Sequence, residues 1–241
     1  MPGLTTLKTS EQKTNYLKRL WEKTYISDVV ERHKLKSRTP IESLTDELCS
    51  AIGSLTNPNK ISNTIKSVQN ISISSDTIDS YLTFLTESYL FEGAKRYNIK
   101  GKRYFESIKK YYCTDVGLRN ARLNFRQQEI THIMENIIYI ELRSRGYSVD
   151  VGVVEIREQL NGKQKQSQYE VDFIASNGIE KIYIQSAYRL DTEEKKQQEL
   201  HSLLKIDDSF RKMVIVADDI MPYTDDNGIT YTGLFNFLLQ N

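Results

Sequence analysis

What the 241 residues lack narrows the field first. Two cysteines, Cys49 and Cys113, are too few for a disulfide framework, and the three histidines, His33, His132 and His201, stand at spacings that make no zinc site. Four prolines and eleven glycines fall below average usage, which disfavours collagen-like, low-complexity or long disordered architectures. There is no apolar run long enough to span a bilayer, and Met1 to Ser10 lacks the basic and then apolar blocks of a signal peptide. A soluble protein in a reducing, cytoplasmic compartment is expected. Also missing are a Gly-x-x-x-x-Gly-Lys-Ser/Thr phosphate loop, a Gly-x-Ser-x-Gly elbow and a Gly-x-Gly-x-x-Gly turn after a strand. ATP hydrolysis is therefore not assigned to this chain, and no cofactor is implied.

What is present is an asymmetry of charge. Residues 1–126 hold 21 Lys and Arg against 13 Asp and Glu, and residues 127–241 hold 12 against 19, so the halves carry about +8 and −7 behind a net charge of +1. Residues 95–126 alone contain ten basic side chains and only Glu106 and Asp115 as acids. Solvated basic faces account for such a region as readily as a binding surface does.

Hydrophobic periodicity divides the chain at the same place. Apolar residues at 17, 20, 21, 25, 26, 29 and 30 predict a helix over 16–32, and Pro40 opens another that runs to about Ala51. Shorter helices follow near 58–68 and 76–90, the second capped by Ser74-Ser75-Asp76. The period then changes to two basic strands, 90–97 and 102–112, around a turn at Asn98 to Gly101. Helices followed by a hairpin are the order of a winged helix, with Ile71 and Ile73 as candidates for its small extra strand. From 127 onward the pattern is a helix over 130–145, strands over 147–157, 169–175 and 181–188, turns at Asn161-Gly162 and Asn177-Gly178, a helix over 192–205, and a strand over 213–217. Leu234 to Leu239 would cover an edge. The expected fold is α/β: a helical winged-helix domain, 1–126, then an α/β domain with a mixed sheet, 127–241.

The second domain holds the residues with chemical promise. Strict alternation puts Glu170, Asp172 and Ile174 on one strand face, and Lys181, Tyr183, Gln185 and Ala187 on one face of the next. If those faces coincide, Asp172 and Gln185 become neighbours, and Glu135 on the preceding helix can approach them. Two carboxylates and a carbonyl oxygen are the raw material of a magnesium site; ordinary edge residues with ordinary partners are the simpler account.

These segments carry a resemblance. Met134-Glu135-Asn136, Leu142 to Tyr147, Glu170 to Ala175 and Ile182 to Leu190, with Thr24 to Arg32 and Tyr111 to Leu118, are similar to the C-terminal region of bacterial and archaeal AAA+-type ATPases, usually catalogued as a domain of unknown function. The resemblance implies a winged helix followed by a fold like the PD-(D/E)XK nucleases, in a chain that starts after the ATPase module. It matches Asp172 to the family's aspartate and Glu135 to its helical glutamate. Gln185 then stands where a carboxylate belongs and Ala187 where the lysine belongs, so the nuclease-like motif is degenerate. Removing one such stabilising group raises a barrier by roughly 3 kcal/mol, and two are missing. Lys181 is the remaining candidate for a displaced ammonium.

The expected role is a non-catalytic C-terminal module of an AAA+-type ATPase that binds nucleic acid, a partner protein or both, with double-stranded DNA met by Lys95, Arg96, Lys100, Lys102, Arg103, Lys109 and Lys110 on phosphates and by Ser75, Thr77 and Tyr81 near the exposed helix start. The alternatives are a magnesium-dependent nuclease with an atypical site, and a structural module that joins ATPase subunits or self-associates through its oppositely charged halves.

Overall fold

Thr9 starts the first long helix by a reciprocal cap: its hydroxyl accepts the Gln12 amide and the Gln12 side chain accepts the Thr9 amide. In the computed structural model, which describes residues 2–126, 129–160 and 163–240, the short helix α1 (Pro2–Thr5) precedes this helix, α2 (Ser10–Leu20). A π-helical turn, Trp21–Ile26, joins α2 to α3 (Ser27–Arg32). The helix predicted over 16–32 is thus longer at its start and interrupted in the middle. Next come α4 (Thr39–Ser50), β1 (Leu55–Thr56), α5 (Pro58–Gln69), α6 (Ser75–Glu87), the hairpin strands β2 (Phe91–Asn98) and β3 (Arg103–Cys113), and α7 (Val116–Arg122).

The small strand lies at Leu55–Thr56, where it is hydrogen-bonded beside β3, and not at Ile71 and Ile73. There, Asn70 ends α5 in a left-handed conformation (φ 55°) and the Ser62 hydroxyl donates to the Ile73 carbonyl, which occupies that backbone without a strand partner. Sequence reading also left out α7, whose amide at Leu118 is capped by the Asp115 carboxylate at 2.9 Å.

The remaining elements are α8 (Ile130–Ser144), β4 (Ser148–Leu160), β5 (Lys163–Ser176), β6 (Lys181–Ala187), α9 (Glu193–Leu204), β7 (Arg211–Val216), β8 (Tyr223–Thr224), β9 (Ile229–Gly233) and α10 (Leu234–Leu239). The chain separates into two compact units, residues 1–93 with 111–129, and residues 94–110 with 130–241. The outer part of the hairpin therefore groups with the second unit, whereas the sequence division had it in the first.

In the first unit, Ile41, Leu44 and Leu48 of α4 and Ile78, Leu82 and Leu85 of α6 meet Trp21, Ile26, Val29 and Phe91 in one core. Each fully buried residue of this kind contributes about 1.5–3 kcal/mol. Arg119, with no exposed surface, donates its Nε to the Cys49 carbonyl at 2.8 Å. Both thiols are buried, and burial pushes each up, Cys113 to about 12.

In the second unit the sheet is mixed. β2 runs parallel to β4, β4–β5 and β5–β6 are antiparallel, β6–β7 and β7–β9 are parallel, and β8 is antiparallel to β9. The turn at Asn177-Gly178 is present, with Gly178 at φ 94°; Asn161-Gly162 lies outside the described residues. β4 and β5 are longer than predicted because the polar stretch after Val154 continues in register with Gln166 to Tyr169, a pairing that no hydrophobic alternation announces. Helix α9 packs Leu200 and Leu203 on Val154, Val171, Ile174, Tyr183 and Ala187 of the sheet.

Candidate functional site

One irregularity decides which side chains meet. Asp150 of β4 pairs with Ile174 and Gly152 with Val171, so β5 has one residue more than β4 across this step, a β-bulge at Asp172 and Phe173. Val171 and Ile174 both turn toward α9. Phe173 turns to the opposite side, where its ring lies 6.2 Å from Tyr139 of α8, and Glu170 and Asp172 are on that side with it. The expectation that Glu170, Asp172 and Ile174 share a face is corrected by this bulge.

On the α8 side, Lys110 is 5% exposed and its ammonium sits 3.0 Å from Glu135 and 2.6 Å from Glu170. Asp172, 8% exposed, accepts the Ser186 amide of β6 at 2.7 Å. The carboxylate thus takes a backbone donor just beyond the last β5–β6 pair at Phe173 and Ile184. Burial works against the charge on Lys110, but Glu135, Asp172 and Glu170 outweigh it and hold the ammonium charged above its usual range. Burial, then Glu135, pushes the Asp172 carboxyl well up, against the pull of Lys110 and the Ser186 N–H. The cluster is one cation shared by three acids, the most buried of which resists ionisation.

Gln185 and Ala187 are not in it. Gln185 donates to Glu199 of α9 at 3.3 Å, and Ala187 belongs to the core under α9. Lys181 places its ammonium over the Phe210 ring at 4.7 Å. The ammonium that sequence reading sought on β6 comes instead from Lys110, and Glu170 joins as the third acid. The signal available for Lys110 was its place before Tyr111-Tyr112, which are also buried. Among the described residues, no three His, Cys, Asp or Glu side chains are arranged to hold a metal ion.

The raised carboxyl of Asp172 gives a pH dependence with a definite sign. From its ordinary value near 3.8 upward, the unfolded chain releases this proton before the folded one, so folding stability falls as pH rises through the raised value. Asp172→Asn keeps an acceptor for Ser186 and removes the titration. In urea denaturation from pH 4 to 8, wild type is expected to lose stability relative to Asp172→Asn, reaching a plateau once the carboxyl has ionised. A difference that stays flat or rises with pH contradicts this.

The predicted nucleic-acid residues fall into distinct surroundings. In the first unit, Ser75 and Thr77 are half-buried, and the Thr77 amide donates to the Ser74 cap at 3.2 Å. Tyr81 packs on the first core, 6.1 Å from the Phe84 ring. The exposed side of α6 carries Asp76, Asp79, Ser80, Thr83 and Glu87, and α6 has no lysine or arginine. In the second unit, Lys95, Lys100, Lys102 and Arg103 are exposed. Lys95 stands 5.7 Å over Tyr104, which is 52% exposed, and Lys100 lies 3.6 Å from Asp207. Tyr104 also packs edge-on to Tyr97 at 5.0 Å, and its hydroxyl donates to Asp150 at 2.9 Å. Arg96 lies half-buried over Phe105 at 4.9 Å, Lys109 is half-buried, and Lys110 faces the carboxylates rather than solvent.

Comparison with known proteins adds kinship. Residues 1–129 match the family described as "Domain of unknown function (DUF8612)". An uncharacterized protein of Haemophilus influenzae is 32% identical over 228 residues, covering 95% of this chain and 53% of the relative. Uncharacterized protein MJ1544 of Methanocaldococcus jannaschii is 29% identical over 224 residues, covering 90% and 47%. The chain thus spans about half the length of these relatives. Among solved structures, protein VC1899 from Vibrio cholerae aligns over 96% of this chain and 55% of its own, at 14% identity and a TM-score of 0.29. No helix among the described residues is long and apolar enough to cross a membrane.

Proposed function

The chain belongs to the family described as a domain of unknown function (DUF8612), and from its geometry we propose a non-catalytic module that binds nucleic acid through the β2–β3 hairpin, as part of a longer AAA+-type ATPase. The order α4, β1, α5, α6, β2, β3, with β1 beside β3, supports reading these elements as a winged helix, although the outer part of the hairpin groups with the second unit. The order α8, β4, β5, β6, α9, β7 supports a PD-(D/E)XK-like second unit.

The observation that carries binding is the hairpin itself. Lys95, Lys100, Lys102 and Arg103 are exposed around Tyr104, a set that can neutralise phosphates and stack on a base or sugar. Acidic α6 is unsuited to phosphate, so the interface is assigned to the hairpin. The non-catalytic part rests on Lys110, whose ammonium holds the carboxylates a divalent ion would need.

Four phosphate contacts give a slope of about −3.6 in log K against log salt, or roughly a hundredfold weaker binding to duplex DNA between 50 and 200 mM salt. Fluorescence anisotropy checks this, and replacing the four hairpin cations by glutamine should flatten the slope. A slope near zero for wild type removes phosphate contact as the basis.

A magnesium-dependent nuclease is the second reading, favoured by the inventory of Glu135, Glu170, Asp172 and Lys110 on one side of the sheet. It requires magnesium-dependent cleavage that disappears in Asp172→Ala.

A further inference from the structure

The cations of the hairpin account for phosphate, but they do not account for Tyr104. Lys95 and Tyr97, two apart on β2, meet Tyr104 of β3 on one face of the hairpin, and Arg96 meets Phe105 on the other. In the sheet β3 lies beside β2 and β2 beside β4, so the Tyr104 hydroxyl reaches Asp150 of β4 by laying its side chain across β2. Tyr97 braces it, packing against the core of Ile99, Val154 and Val171 while meeting the Tyr104 ring edge-on. The ring is thus tied at its backbone and at its hydroxyl, yet the residue stays 52% exposed. An aromatic held in place and open to solvent loses little side-chain freedom when a second ring lies on it.

Neutralising phosphates gives this ring no task. In a duplex the bases are stacked on one another and closed to a side chain, whereas the base faces of an unpaired strand are open and stack on aromatic rings set among cations. The element that would enter a duplex groove is also ill suited to it, since the exposed side of α6 carries Asp76, Asp79 and Glu87 and α6 has no lysine or arginine. Charge density alone favours a duplex, which presents about twice the phosphates per unit length. The two contributions therefore differ in sign: phosphate contact ranks the duplex first, and stacking ranks the single strand first.

We propose that the hairpin binds unpaired nucleic acid, with a base stacked on Tyr104 and the neighbouring phosphates met by Lys95, Lys102 and Arg103. This rests on the hairpin reading above and narrows its ligand to a single strand. Lys100 contributes less, because Asp207 lies 3.6 Å from its ammonium.

The full chain is titrated by fluorescence anisotropy with labelled oligothymidylate, oligouridylate and a mixed-sequence duplex of equal length, at one salt concentration. At least one unpaired strand is expected to bind about fivefold more tightly than the duplex. Tyr104→Ala should weaken strand binding about tenfold, leave duplex binding within about twofold and leave the salt slope unchanged, because it removes a ring and no charge. Tyr104→Trp keeps a stacking face, so strand affinity should be retained; the strand should quench the new indole against the constant emission of Trp21, the chain's single tryptophan, which is buried. A duplex that binds as tightly as both strands, or a Tyr104→Ala variant that weakens strand and duplex alike or weakens neither, overturns single-strand recognition and leaves phosphate contact standing. Failure of all three nucleic acids to bind removes the hairpin reading itself, and this proposal with it.

Discussion

Replacing Lys110 by methionine is expected to lower folding stability by roughly 3–5 kcal/mol, read as a shift of the urea midpoint at unchanged slope. The stem is kept and the charge is lost. Glu135, Glu170 and Asp172 then lose the ammonium that faces them, and Glu135, whose side chain is 13% exposed, has little water to replace it. The burden falls less on Glu170, which is 34% exposed and screened by solvent. Adding Glu135→Leu to Lys110→Met should recover a large part of the loss, because an apolar pair in place of a buried ion pair is often neutral or better. A single-variant loss below about 1 kcal/mol would mean that the pair behaves as a surface contact.

Gly152→Val is expected to cost about 3 kcal/mol, at the upper end of the range for overpacked cores. A Cβ at this position would lie 2.8 Å from the Val171 Cβ, 3.1 Å from Ile99 and 3.2 Å from Ile174. Two of these crowd the same side because the bulge in β5 turns both Val171 and Ile174 toward α9. Relief requires either the bulge to move or Ile99 to leave its place at the hairpin turn, where its amide donates to the Val153 carbonyl at 2.9 Å. The same valine at Val153 or Val154 is native, so thermal melting of Gly152→Val isolates the effect of the bulge. Wild-type stability in that variant would show the sheet free to readjust.

The elements with strong periodicity were legible without coordinates: α4, α6, α8, α9 and the turn at Asn177-Gly178. So were Glu135 and Asp172 as members of one group, since helix and strand faces follow from spacing. The partners around them were not legible. Alternation assumes a residue-for-residue ladder, and the bulge at Asp172 and Phe173 breaks it, which sends Gln185 to Glu199 and leaves the α8 side to Glu170. Lys110 was read among the solvent-facing cations of a basic strand because charge alone does not show which lysine finds a carboxylate across the sheet. The two-residue β8 and the five-residue β9 offered too few turns of any period, although Asp225 to Gly228 spells a turn and Gly228 has φ 74°.

The passage of residues 94–110 from one unit to the other has a practical corollary. A fragment begun at residue 127 would be cut from both its β2 neighbour and its internal ammonium. The flank of β4 that β2 occupies would then present bare amides and carbonyls over Val151 to Val153, a template for pairing with the next molecule. Such a fragment should precipitate as strand-paired aggregates, whereas one carrying residues 94–110 in tandem should remain dispersed.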